Sequence, residues 1–101
     1  MKVILSPGSR QDLRGIFKHI ADDNLDAAIA LIRQLKQRCF ELGPMPNVGR
    51  KRDEFRKGYR SVTEGNYVIF YQAMPNNTLE IKRVIHAKRD LRKALSEPEE
   101  T

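Results

Sequence analysis

The stretch RVIHAKRD, Arg83 to Asp90, packs three arginine or lysine cations, one carboxylate and one of the chain's two histidines into eight residues. With Arg60 earlier in the chain, Arg83, His86 and Arg89 form a set suited to one kind of chemistry. Cleaving RNA without a metal needs a base for the 2′-hydroxyl proton, an acid for the leaving 5′-oxygen, and cations for the phosphorane. Arg60 and Arg83 could supply the cations. His86 could take either proton role, because an unperturbed imidazole titrates near about 6.5. Tyr59, Tyr67 and Tyr71 are close by in sequence, but a second acid–base group is hard to name, since Glu64 and Glu80 fall near turns. The same arginines could equally bind carboxylates or backbone carbonyls, which leaves a structural strand end or a binding face as the alternatives.

Other chemistries find less support. His19 and His86 belong to different elements, with no cysteine or HxxxH spacing beside them, so no metal site is expected. Beside the apolar stripe of its helix, His19 reads as a partly buried structural residue. GxSxG and GxxxxGK[ST] motifs are absent, which removes the familiar nucleophile and phosphate-loop readings. Cys39 stands alone on an apolar stripe, where a small buried hydrophobe is the simpler role. No cofactor is implied.

Charge points to a partner. The net charge of +6 is carried unevenly along the 101 residues. Residues 49–60 hold six cations (Arg50, Lys51, Arg52, Arg56, Lys57, Arg60) against Asp53 and Glu54. Residues 82–93 hold six more (Lys82, Arg83, Lys88, Arg89, Arg92, Lys93) against Asp90 alone. Two such segments suit nucleic acid or an acidic protein surface, and a solvated basic face is the plain alternative. No apolar run approaches the ~20 residues that span a bilayer, and MKVILSPGS is too short and weakly charged for a signal peptide. With one cysteine and no such segment, a cytoplasmic location is the expectation.

These residues need elements to position them. KVILS predicts a strand, and Ser6 with Pro7 marks a capped helix start. Leu13, Ile16, Phe17 and Ile20 then line one helical face, with Asp12, Arg14 and Lys18 pointing elsewhere. Asn24 caps a second helix whose stripe is Ala28, Leu31, Ile32, Leu35, Cys39 and Leu42, stopped by Gly43-Pro44. So short a link makes the pair an antiparallel hairpin. Three β-rich runs follow, GYRSV, YVIFYQA and LEIKRVIHA, separated by turn signals, and predict an antiparallel meander. YVIFYQ is apolar almost throughout and should be central, covered on both faces. Asp90 can cap a short C-terminal helix carrying Leu91 and Leu95, before an acidic tail expected to fray. The predicted fold is α+β, a two-layer sandwich: N-terminal strand, antiparallel helical hairpin, three-stranded antiparallel meander and short C-terminal helix. Residues 1–95 form one domain and 96–101 the tail.

Read together, ILSPGSRQDLRGI, NLDAAIALIRQL, GPMPNVGRKRDEFRKGYRSV, NYVIFYQ and IKRVIHAKRD resemble the ParE branch of the RelE/ParE superfamily, the toxins of type II toxin–antitoxin modules. The most specific pieces are Gly49-Arg50, Gly58-Tyr59-Arg60-Ser61, Asn66–Tyr71 and Arg83–Asp90. The resemblance implies the fold already reached. It also implies a short ParD-like antitoxin partner whose C-terminal segment wraps the toxin into a hetero-oligomer, with a role in plasmid stabilisation. Within the superfamily, RelE-like members are ribosome-dependent mRNA endoribonucleases, whereas ParE-like members inhibit DNA gyrase without catalysing a reaction. This chain has Ala87 where some ribonuclease members place a tyrosine. Where the ParE-like ending commonly reads histidine-glycine-alanine-arginine-aspartate, it carries Ala87-Lys88 in the middle. The resemblance therefore favours a gyrase-binding toxin with no catalytic residue. Arg50, Arg52, Arg56, Arg60, Arg83, Lys88, Arg89 and Arg92 would then be target or antitoxin contacts. The endoribonuclease alternative would use Arg60, Arg83 and His86. A binding module that has lost toxicity is a third class.

Overall fold

A β-branched run capped by a serine and a proline must leave the strand direction at once, and the chain does so. In the computed structural model, which describes residues 1–96, β1 (Lys2–Leu5) turns at Ser6 into α1 (Pro7–Ala21). The Ser6 hydroxyl accepts from the Ser9 amide at 3.0 Å and donates to the Lys82 carbonyl at 2.9 Å. One side chain thus satisfies an orphan helix donor and fixes the helix start to the sheet. Asn24 caps α2 (Leu25–Glu41) in the same way, accepting from the Ala27 amide at 3.0 Å.

The remaining elements are β2 (Arg50–Lys51), β3 (Tyr59–Glu64), β4 (Tyr67–Met74), β5 (Thr78–His86) and α3 (Leu91–Leu95). The strands form one sheet in the order β1-β5-β4-β3-β2. The predicted meander, β3-β4-β5, is antiparallel. The opening strand joins it parallel to β5. The two-residue β2, which the sequence patterning did not reveal, lies antiparallel on the opposite edge. Its two residues are arginine and lysine, so the apolar alternation that marks a strand has nothing to act on there. The acidic tail, apart from Ser96, lies outside the described residues.

Alternation along the central strand sorts the core into two layers. Ile69 and Tyr71 face the helices, where they meet Leu13, Leu35, Cys39 and Leu42. Val68 and Phe70 face the other way and are covered by Ala94 and Leu95 of α3, with Phe55, Tyr59 and Leu91 beside them. The expected double coverage of YVIFYQ is present, and the short α3 supplies part of it. A β-bulge modifies the alternation in β5: Phe70 pairs with Arg83 but Tyr71 pairs with Ile81, which leaves Lys82 as the extra residue. Leu79, Ile81 and Val84 therefore all reach the helix-side core despite their uneven spacing.

Cys39 is fully buried in that layer. Burial pushes its thiol up to about 12, against smaller opposing effects of the Arg38 guanidinium and a backbone hydrogen bond. A thiol normally titrates near about 8.5. Its raised value contributes stability that is fully present below that pH and is lost as pH rises toward about 12. At pH 8 the folded chain should not react with a disulfide reagent on the timescale that labels the urea-unfolded chain; equal rates would mean the thiol is accessible. His19 does not follow its expectation. It is exposed, since its position on α1 turns away from the contact between the two helices and the sheet.

Candidate functional site

Just past the bulge in β5, a group of hydrogen bonds joins three elements. β1 pairs with β5 only as far as Leu5 and Ile81, so beyond that point β5 has no strand on that side. Asp12 of α1 fills the gap, its Oδ2 accepting from that amide at 2.8 Å. The same carboxylate takes Arg83 in a two-pronged pair, Nε to Oδ2 at 2.7 Å and Nη2 to Oδ1 at 3.0 Å. Arg83 Nη1 then reaches the Ala94 carbonyl of α3 at 2.7 Å. One guanidinium thus ties the first helix, the sheet and the last helix together. Sequence reasoning aimed Asp12 away from the core; the structure corrects this. The available signal was spacing, since Ser9, Asp12, Leu13 and Ile16 share one helical face. Hydrophobicity counting passes over an acid on that face.

Arg60 is occupied in a comparable way. Its Nη1 donates to the Gly49 carbonyl at 2.8 Å and the Asn47 carbonyl at 3.3 Å. Next to it the buried Tyr71 hydroxyl accepts from the Gly49 amide at 2.8 Å and donates to the Pro46 carbonyl at 2.9 Å. A Pro/Gly-rich loop has no ladder of its own, so these two side chains supply the partners for its backbone. The result fixes where β2 begins.

His86 closes β5. Its Nδ1 accepts the Lys88 amide at 3.1 Å, and its ring meets Tyr67 edge-on with centroids 5.2 Å apart. Among the described residues no ion pair joins His86 to a carboxylate. Of the three side chains that the ribonuclease alternative would use, two are bound into loop or helix anchors and the third into a turn. The chemistry such an arrangement performs most directly is holding backbone.

Of the other predicted contact residues, Arg52 and Arg92 lie on the second face of the sheet beside Phe55, and Arg50 shares that face through its register with Ser61 and Phe70. Arg50 and Arg56 are exposed, as are Lys88, Arg89 and Arg92 around α3. Arg52 is half-buried, its Nε donating to the Ser61 hydroxyl at 2.8 Å. Its guanidinium carbon lies 5.5 Å from the Phe55 ring centre and 5.9 Å from that of Phe70. Arg92 lies over the same Phe55 ring at 5.1 Å.

On the helical face there is a different feature. A groove of about 600 Å³ is lined by Leu5, Leu13, Phe17 and Ile32, with Arg10, Arg14, Lys18 and Lys36 as its polar residues. Four cations and no acid border an apolar floor. The sequence pattern puts Leu5 in a strand, Leu13, Phe17 and Ile32 on two helix stripes and Arg14 and Lys18 off them, and only the packing of α1 on α2 makes them one surface. Among the described residues no group of histidine, cysteine, aspartate and glutamate side chains could hold a metal ion, and no helix is long and apolar enough to cross a membrane.

Comparison with known proteins bears on the family and the fold. Toxin ParE1 of Mycobacterium tuberculosis, strains CDC 1551 / Oshkosh and H37Rv, is 30% identical over 91 residues, spanning 89% of this chain and 93% of that protein. Among solved structures, a chain of the chromosomal ParDE toxin–antitoxin system from P. aeruginosa superposes with a TM-score of 0.75 at 16% identity, over 87% of this chain and 97% of that one. A chain of the toxin–antitoxin complex RelBE2 from M. tuberculosis gives 0.61 at 24% identity, over 84% and 95%. These two likenesses describe the fold. The family model for the ParE toxin of the type II toxin–antitoxin system parDE matches residues 3–91. Nearly the whole described chain, from the first strand to the start of α3, lies within that match, and the protein belongs to the ParE toxin family of type II toxin–antitoxin systems.

Proposed function

We propose that this toxin acts by binding DNA gyrase, without catalysing a reaction itself, and that a ParD-like antitoxin neutralises it. The observation that carries the non-catalytic reading is the engagement of Arg60, Arg83 and His86. General acid–base catalysis needs a side chain free to exchange a proton with substrate at hydrogen-bond distance. His86 instead uses one nitrogen to hold the Lys88 amide. The guanidiniums that would steady a phosphorane hold Gly49, Asp12 and Ala94. The antitoxin reading draws on the α1–α2 groove. Its apolar floor suits an amphipathic segment, and its four bordering cations suit one that is acidic.

The test uses purified toxin in two reactions, gyrase supercoiling and ribosomes translating a defined mRNA. Inhibited supercoiling with accumulating linear DNA is the expected result. Discrete mRNA cuts at the ribosomal A site, with gyrase unaffected, would sink the reading. His86→Ala sharpens it. Removing a general acid–base group typically costs 10²–10⁴-fold in rate, so an endoribonuclease would lose its effect on growth. Here His86→Ala should leave growth inhibition intact while removing one edge-on aromatic contact, at about 1 kcal/mol of stability.

A further inference from the structure

Two basic segments that lie some thirty residues apart in sequence meet on one face of the sheet, and we propose that this face binds the phosphate backbone of a polynucleotide. The inference goes beyond the gyrase reading and stands or falls apart from it. The meeting point is Phe55, packed edge-on against Phe70 at 5.9 Å. Arg52 and Arg92 both lie over its ring, and Arg92 Nη1 donates to the Glu54 carbonyl at 3.2 Å. That contact sets α3 beside the 52–58 loop, and β2 leads directly into the same loop through the Arg52 amide, which donates to the Tyr59 carbonyl at 2.8 Å.

Charge on this face is one-sided. Residues 50–60 carry six cations and two acids, and residues 88–93 carry four cations and one acid. Of these cations, Arg60 turns toward Gly49 and Lys51 is paired with it in the register of the helix-facing Tyr71, but Arg50, Arg56, Lys57, Lys88, Arg92 and Lys93 are exposed. The three acids have local work. Asp53 accepts from the Gly58 amide at 2.8 Å, Glu54 pairs with Arg52 at 3.5 Å, and Asp90 caps α3 by accepting from the Lys93 amide at 3.1 Å.

The form of the face selects the class of polyanion. An acidic amphipathic peptide gains much of its affinity from apolar side chains set into pockets. Here the apolar residues, Phe70, Ala94 and Leu95, are buried beneath the cations. The exposed large hydrophobics, Leu25, Ile29, Phe40, Met45 and Val48, all belong to α2 and the loop after it. A surface of exposed cations standing over buried apolar residues suits a partner whose charge repeats regularly and whose contacts are with phosphates.

The test is fluorescence anisotropy of the full chain with a labelled duplex DNA of about 20 base pairs, from about 50 to 200 mM salt, with single-stranded RNA and polyglutamate of matched charge as further arms. Engagement of about five phosphates gives a log–log salt slope near about −4.5. Arg56→Gln/Lys57→Gln should flatten the slope by about 1.8 and weaken binding roughly tenfold at about 100 mM salt. Lys2→Gln/Arg33→Gln removes the same charge from exposed positions on β1 and α2 and should leave affinity within about twofold. Thermal unfolding of both variants reports that the fold is intact. Tighter binding of RNA than of DNA supports the backbone contact and assigns it to RNA. Equal losses in the two double variants would reduce the effect to net charge and overturn the proposal. Polyglutamate binding as tightly as DNA would overturn it in favour of an acidic protein.

Discussion

Replacing Asp12 by alanine should lower the unfolding free energy by about 3 kcal/mol, among the larger effects available to a single surface-ward side chain in this molecule. Two groups lose their acceptor at once, the Arg83 guanidinium and the Val84 amide. Both carboxylate and guanidinium are almost covered, at 11% and 12% side-chain exposure, so solvent screens the pair little. A nearly covered cation that loses a two-pronged carboxylate partner is costlier than no pair at all. For a domain of this size, about 3 kcal/mol corresponds to a fall in Tm of about 12–20 °C. Arg83→Met alone should cost less than Asp12→Ala, and the double variant less than the sum, because the two share one interaction. Hydrogen exchange adds a spatial readout. Since Arg83 also holds the Ala94 carbonyl, amides of Leu91–Leu95 should lose protection in Asp12→Ala before those of β4 do. A change below about 1 kcal/mol would show that water replaces the carboxylate at the bulge.

Gly49→Ala should be of similar size, about 3 kcal/mol, for a steric reason. A Cβ there would collide with the Tyr71 hydroxyl, and would also lie 2.8 Å from Tyr71 Cε1 and 2.9 Å from the Ser61 carbonyl. Tyr71 is 1% exposed and held by Pro46 and Gly49 together, so it has nowhere to go. The loop must move instead, taking with it the Arg60 contacts and the pairing of Arg50 with Ser61. Tyr71→Phe isolates the hydrogen-bonding share: it leaves the Gly49 amide and the Pro46 carbonyl unpaired, at about 1–3 kcal/mol. Gly15→Ala serves as the control, since a Cβ at that helical position meets nothing within 4 Å. It should stabilise by about 0.5–1 kcal/mol, as alanine does in a helix interior. If Gly49→Ala unfolds at the same denaturant midpoint as the native chain, the loop has room that the packing around Tyr71 denies it.

These two sites mark the boundary of what patterning could reveal. Helices, their caps at Ser6, Asn24 and Asp90, and the central strand were legible because each depends on local chemistry: a side chain bonding an amide three residues on, or an apolar period matching a helix or a strand. The family resemblance was legible for the same reason, as an ordered series of local motifs, and the family match over residues 3–91 agrees with it. The arginines drew notice by type, but not by role. Arg83 faces a carboxylate 71 positions away, and Arg60 holds the carbonyls of Asn47 and Gly49. No local period encodes such distances.

What the sequence by itself determined was the set of elements, their order and the excess of positive charge, since these follow from residue type and near-neighbour spacing. Only the tertiary structure decided which cations are structural and which are available. Just past a bulge in β5, Arg83 and Val84 meet Asp12 of α1, and at a single aromatic ring, Phe55, two separate basic segments come together. Both outcomes depend on register and on contacts between residues distant in the chain. Those are fixed when the helices and sheet pack, because burying the two apolar layers of β4 leaves one arrangement of the polar groups around them.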